Sequence, residues 1–287
     1  MSDFSSLVSE TCGAKASQVS SALAKQPFIK LTDAEVVRQG RTLLKVPEFS
    51  LAEGEHIAIL GPNGAGKSTF VKLITREIMP LYHDIPPVLF RGNPRATLLD
   101  VRKALGIVSA TMQKEISLHL PVRDIVAGGV TGTVGIPVTV AARDALQARE
   151  RATAALELLG IQDLADEDVM NLSTGQARRV LIARALMHNP DALIFDEPCT
   201  GLDPEGMFYV RQSMRKLAAQ GKSIVLVTHY PEDIIPEIKR ILLIRDGGVF
   251  ADGLKEETLT DAKISQLFGI PVQINCTNGY YSLVAAY

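Results

Sequence analysis

Short continuous apolar runs alternate along this chain with stretches of helical spacing. HIAIL (His56–Leu60), ALGIVSA (Ala104–Ala110), DALIFDEP and SIVLVTH read as buried strands. Between them FVKLITREI, STGQARRVLIARALMH and Glu205–Ala219 repeat apolar residues with a helical period. Upstream, FIKLTDAEVV and TLLKVPEFSLAEG predict strands joined by turns, and VLFRG predicts an edge strand. RILLIRDGGVFADG and VQINCTNGYYSLVAAY carry Asp246-Gly247 and Asn278-Gly279, which are hairpin turns. Helices alternating with buried strands predict an α/β core with a mostly parallel sheet.

The character changes between about residues 114 and 170. AARDALQARERATAALELLG places Ala145, Ala152, Leu156 and Leu159 on one helix face and stops at Gly160. This stretch reads as a helical subdomain inserted into the main fold. The organisation expected is a tail over residues 1–26, a main domain over 27–256 and an extension over 257–287, with a helix at 257–268 and the second hairpin. The run from Ile125 to Ala142 carries no charge, but its glycines, Pro137 and three threonines make a poor helix. It reads either as a loop-rich segment with exposed apolar surface or as a buried irregular stretch.

Composition adds little beyond this. The 287 residues are 46 % hydrophobic with a formal net charge of −2, which suits a soluble globular unit with ample core. A near-neutral balance with no basic block gives no reason to expect direct nucleic-acid binding. The three cysteines, Cys12, Cys199 and Cys276, stand in no metal spacing and fit a reduced, cytoplasmic setting.

The chemistry lies in the loops after the apolar runs. Gly61-Pro62-Asn63-Gly64-Ala65-Gly66-Lys67-Ser68-Thr69 fits G-x-x-x-x-G-K-[ST] between a strand and a helix. Its glycines let backbone N–H groups turn toward phosphate, and the helix start adds its positive end. Lys67 would reach the β- and γ-phosphates of a nucleotide, and Ser68 would hold Mg²⁺. Asp196 ends a later strand, where it would hold Mg²⁺ through water, and Glu197 follows, placed to polarise an attacking water. Leu172-Ser173-Thr174-Gly175-Gln176 opens another helix, with Ser173 and Gln176 spaced as a capping box. Gly175 allows close approach of an anion to that helix start. Since the first loop already surrounds its own nucleotide's phosphates, a second phosphate reader suggests two copies facing head to tail, each completing the other's site.

GPNGAGKST, LSTGQ, LIFDEP, GLD (Gly201–Asp203) and Thr228-His229, in this order, resemble the ATP-binding cassette (ABC) ATPase family over roughly residues 28–256. The resemblance implies a P-loop NTPase core with a mostly parallel sheet, an antiparallel β subdomain and an inserted helical subdomain. It also implies an ATP- and Mg²⁺-dependent ATPase working as a nucleotide-sandwich dimer. Glu197 would be the general base, His229 would contact the γ-phosphate, and Asp203 would lie in the segment crossing between subunits. His229 also ends a strand, where ligands of open α/β sheets collect. Three positions depart from the family pattern. Thr174 replaces a glycine. Ala110 stands where a glutamine is usual, so the Mg²⁺- and partner-sensing role passes to Gln113. The segment VVRQGR, where the family often places an adenine-stacking aromatic, has none, so adenine stacking passes to Arg38.

One cassette without a convincing membrane span implies the energising subunit of a transporter with separate membrane subunits. Such a subunit is cytoplasmic, at the inner face of the membrane, and pairs with a second copy or a related cassette. The alternative is a stand-alone soluble ATPase acting on a protein or nucleic-acid target. Cys199, two residues after Glu197, reads as a packing residue.

Overall fold

Most of the described strands join one sheet with helices packed on both faces. A computed structural model describes residues 26–109, 112, 116 and 118–285. Residues 1–25 of the expected tail, Ala110 and Gln113 lie outside the described residues.

The strands are β1 (Ile29–Arg38), β2 (Arg41–Leu51), β3 (Ile57–Leu60), β4 (Val88–Phe90), β5 (Leu105–Ser109), β6 (Ala192–Asp196), β7 (Ser223–Thr228), β8 (Arg240–Arg245), β9 (Gly248–Leu254), β10 (Val272–Thr277) and β11 (Tyr280–Ala285). Nine of them form a sheet in the order β4-β1-β2-β9-β8-β3-β7-β6-β5. β8, β3, β7, β6 and β5 run parallel, while β4, β1 and β2 pair antiparallel at one side. The two regions meet through Lys45 and Gly248 on β2 and β9. β10 and β11 form a separate hairpin.

Strand periodicity divides the core. Ala58, Leu60, Leu193, Phe195, Ile224, Leu226, Ile241 and Leu243 face one cluster. Ile57, Ile59, Ala192, Ile194, Val225, Val227, Leu242 and Ile244 face the other. Both faces are covered, which is why these strands read as continuous apolar runs rather than alternating ones. Each such Ile, Leu or Phe contributes about 1.5–3 kcal/mol by its burial.

The helices are α1 (Lys67–Ile74), α2 (Leu98–Ala104), α3 (Val122–Ala127), α4 (Ala142–Leu159), α5 (Thr174–Ala185), α6 (Pro204–Ala219), α7 (Lys255–Thr258) and α8 (Asp261–Phe268). α4 buries Ala148, Ala152, Ala155, Leu156 and Leu159, and the left-handed Gly160 ends it. Three predicted helices end differently from the expectation; STGQARRVLIARALMH is helical only to Ala185. FVKLITREI stops being helical at Ile74, because Arg76 takes φ 58° and its guanidinium bonds the carbonyls of Val88 and Pro94. The helix expected at 257–268 is split into α7 and α8, with Thr260 capping the second. The uncharged run after Ile125 is partly core and partly surface. Ile125, Val126 and Ala127 are fully buried, whereas Val130, Val134 and Val138 are exposed.

Candidate nucleotide site

Three neighbouring parallel strands deliver the site. Leu60 at the end of β3 pairs with Thr228 at the end of β7, and Asp196 at the end of β6 pairs with Val227. The loops that follow β3, β6 and β7 therefore emerge side by side at the carboxyl edge of the sheet, where open α/β sheets bind ligands.

After β3 the backbone folds into a cradle. Gly64 and Gly66 take φ values of 79° and 109°, a region closed to most side chains. A Cβ on Gly61 would lie 2.1 Å from the carbonyl oxygen of Ile244 on β8, so no other residue fits there. The β8–β9 turn braces the loop from outside, since Gly247 N–H donates to the Ala65 carbonyl at 2.9 Å. Lys67 is 5 % exposed, and its Nζ donates to the carbonyls of Gly61 and Pro62 at 2.8 and 3.0 Å. Burial pulls its ammonium below the ordinary lysine range, while the charges of Glu197 and Asp196 oppose that shift.

After β6 the carboxylates come together. Burial, then the neighbouring Glu197, push the Asp196 carboxyl above its ordinary range, against Lys67 and Lys72. A desolvated carboxylate beside a second carboxylate, together with the Ser68 hydroxyl in the first turn of α1, makes a hard oxygen set that could hold Mg²⁺. Glu197 takes φ 49°, a left-handed conformation costing about 1–2 kcal/mol in a non-glycine residue. Its N–H is held by the Val227 carbonyl at 2.8 Å. After β7, His229 Nδ1 lies 3.3 Å from Glu197 Oε1, out of hydrogen-bond alignment, and its ring packs on Tyr230 at 3.9 Å between centroids.

The Leu172–Gln176 stretch forms the predicted cap. Ser173 Oγ accepts from Gln176 N–H at 3.2 Å, and Gln176 Oε1 accepts from Ser173 N–H at 2.9 Å. Ser173 and Thr174 are exposed. These polar contacts remain inside the box, and the P-loop takes no part in them. Instead the first turn of α5 sits against that of α6, where a Cβ on Gly175 would lie 2.9 Å from Gly206 Cα. Asp203 caps α6 by accepting from Gly206 N–H at 2.8 Å. Arg38 is exposed at the tip of the β1–β2 hairpin, opposite Arg41. That hairpin reaches the P-loop through Leu43, whose carbonyl would lie 3.4 Å from a Cβ on Gly66.

Comparison with known proteins decides the family. The family model described as ABC transporter matches residues 44–200. The chain belongs to the ABC transporter ATP-binding family. An uncharacterized ABC transporter ATP-binding protein of Bacillus subtilis, YlmA, is 31 % identical over 249 residues, covering 86 % of this chain and 93 % of the relative. The structure of cbiO1 from Clostridium perfringens, part of the transporter complex cbiONQ, superposes with a TM-score of 0.70. It shares 27 % identity over 84 % of this chain and 94 % of that one. A dimeric post-hydrolysis structure of the cassette MJ0796, bound to ADP and phosphate, gives a TM-score of 0.62 at 26 % identity, covering 79 % and 98 %.

Within this ABC cassette some supporting residues escaped the sequence reading. Ile244 and Gly247, which shape the P-loop, sit in a hairpin about 180 residues away in sequence; the Asp246-Gly247 dipeptide signals the turn but not its contact with the P-loop. Arg178 on α5 is 2 % exposed, and its Nη1 donates to the Glu197 carbonyl at 3.4 Å. Its only sequence signal is its place in the Leu172–Gln176 helix. Cys199 is buried, and burial, then Asp233, push its thiol pKa far upward, so it packs as a neutral thiol.

Proposed function

We propose that this cassette binds ATP with Mg²⁺ on its P-loop, hydrolyses it, and so energises a transporter whose membrane-spanning subunits are separate chains. The observation that carries this reading is the convergence of Lys67, Asp196, Glu197 and His229 at the ends of adjacent strands, with Glu197 and His229 at ion-pair distance. Lys67 and the Gly64–Thr69 backbone bind phosphates, and Gly61–Gly66 shape the loop. Ser68 and Asp196, with Gln113, hold the Mg²⁺, which supplies charge neutralisation at the phosphates. Glu197 takes the proton of the attacking water, and His229 holds the γ-phosphate. Arg38 stacks on adenine from the hairpin tip.

A second cassette, another copy or a relative, supplies Leu172–Gln176 to close the nucleotide site, and Asp203 lies where the two cross. The dimeric form of MJ0796 supports this arrangement. Among the described residues no helix is long and apolar enough to cross a membrane, which fits separate membrane subunits. Residues from about 114 to 170 form the helical subdomain on which those subunits dock. Exposed Leu118, Val130, Val138 and Leu146 support an apolar docking face there. Residues 257–287 are an appended extension. The protein then works on the cytoplasmic side, at the inner face of the membrane.

The test is affinity purification of tagged Glu197→Gln from its own cells in mild detergent with Mg²⁺-ATP. This variant is expected to bind ATP, lose turnover and hold the closed state. Co-purification of a polytopic membrane protein in stoichiometric yield is the expected result. Recovery of the chain alone, or with a soluble target, would replace the transporter reading with that of a stand-alone ATPase.

A further inference from the structure

Beside the His229 segment lies a partly buried ion pair that the ATPase reading leaves unused. Asp233 has a side-chain exposure of 3 % and pairs with Arg211 Nη2 at 3.0 Å. Its other oxygen accepts from Thr228 Oγ1 at 2.8 Å. With its proton turned to Asp233, the Thr228 oxygen is free to accept from Tyr230 N–H, which it does at 3.0 Å. His229 is thus flanked on both sides by residues fixed through one hydroxyl, whose direction Asp233 sets. Arg211 stands on α6, two turns after the Asp203 cap.

Stability alone gives a weak reason for this pair. A buried ion pair often stabilises no better than apolar side chains of equal volume. What it supplies is geometry: fixed distances between the His229 segment and α6. We propose that Asp233 is a positioning residue for ATP hydrolysis. It sets the His229 ring through Thr228, and through Arg211 it ties that ring to the helix that Asp203 begins. The proposal rests on the reading of His229 as the γ-phosphate contact. It also gives a physical route by which a change at Asp203, where a second cassette would press, reaches the histidine.

Two variants test it. Asp233→Asn keeps the shape, but its single acceptor oxygen satisfies only one of Thr228 and Arg211. Thr228→Val removes the hydroxyl at nearly constant volume. Steady-state phosphate release should show kcat lower by roughly tenfold in both, with KM for ATP within about twofold of wild type. A structural lesion alone would not confine itself to one ring, so histidine side-chain NMR adds a second readout. The chain has five histidines, and the His229 signal is the one lost in His229→Ala. In both variants that signal should shift while His56, His83, His119 and His188 stay in place. Unchanged kcat, an unmoved His229 signal, or a shift of all five would overturn the proposal. His229→Ala turning over like wild type would overturn it too, and would locate the failure in the reading of His229 itself.

Discussion

Gly61→Ala is the sharpest perturbation this structure offers, because the added atom has nowhere to go. The new Cβ would stand 2.1 Å from the Ile244 carbonyl oxygen, more than an ångström inside ordinary contact. Neither partner yields easily. Ile244 is a fully buried residue of β8, and Gly61 follows the fully buried end of β3. The obstacle is backbone, so no side-chain rotation relieves it. The P-loop must move away from β8 by about an ångström, straining the Gly247 N–H to Ala65 carbonyl bond. Overpacking of this kind costs about 1–3 kcal/mol, a fall in Tm of roughly 2–10 °C for a chain of this size. The effect on function should be larger, since an ångström of misplacement costs about a hundredfold in rate. Titration of a fluorescent ATP analogue and phosphate release would measure both. Gly221→Ala is the control for adding a Cβ without a clash: Gly221 is left-handed, at φ 81°, and a Cβ there meets nothing within 4 Å. It should lose about 1–2 kcal/mol of stability and no nucleotide affinity. Wild-type ATP affinity and turnover in Gly61→Ala would refute the claim that β8 shapes the P-loop.

Ser173→Ala removes one half of the capping box, so the melting temperature should drop by an amount equivalent to about 1 kcal/mol, whereas Ser173→Thr should keep most of it. Asp196→Asn should change the pH dependence of stability without nucleotide. The native Asp196 carboxyl titrates above its unfolded value, so wild-type stability falls as pH rises through that interval. The asparagine variant should therefore be the more stable protein near neutrality. That advantage should vanish as pH falls into the ordinary carboxylate range, and parallel denaturation profiles would contradict the cause assigned to the shift. A brief maleimide pulse on the native protein, mapped by mass spectrometry, should label exposed Cys276 and spare buried Cys199; fast labelling of Cys199 would show that its segment opens readily.

Much of the candidate site was legible because its geometry is local. A cradle built from consecutive N–H groups needs glycines at set spacings, so Gly64, Gly66 and Lys67 announce themselves. A capping box involves four successive residues, and Ser173 and Gln176 make the predicted bonds. Asp246-Gly247 and Asn278-Gly279 take the left-handed backbone that their dipeptides favour. Helix ends were less legible. Arg76 terminates α1 through carbonyls at Val88 and Pro94, acceptors that no window around residue 76 contains.

The sequence alone therefore determined the α/β class, the order of the motifs and the groups proposed to bind phosphate, because periodicity and short-range turns are properties of neighbouring residues. Only the tertiary structure decided that β3, β7 and β6 lie side by side, bringing Lys67, Glu197 and His229 to one edge. It alone set Ile244 against Gly61 and Asp233 beside the His229 segment. Such contacts join residues far apart in the chain, and they arise from which faces the sheet and helices bury against each other. That choice belongs to the packed core as a whole and leaves no mark on any single stretch of sequence.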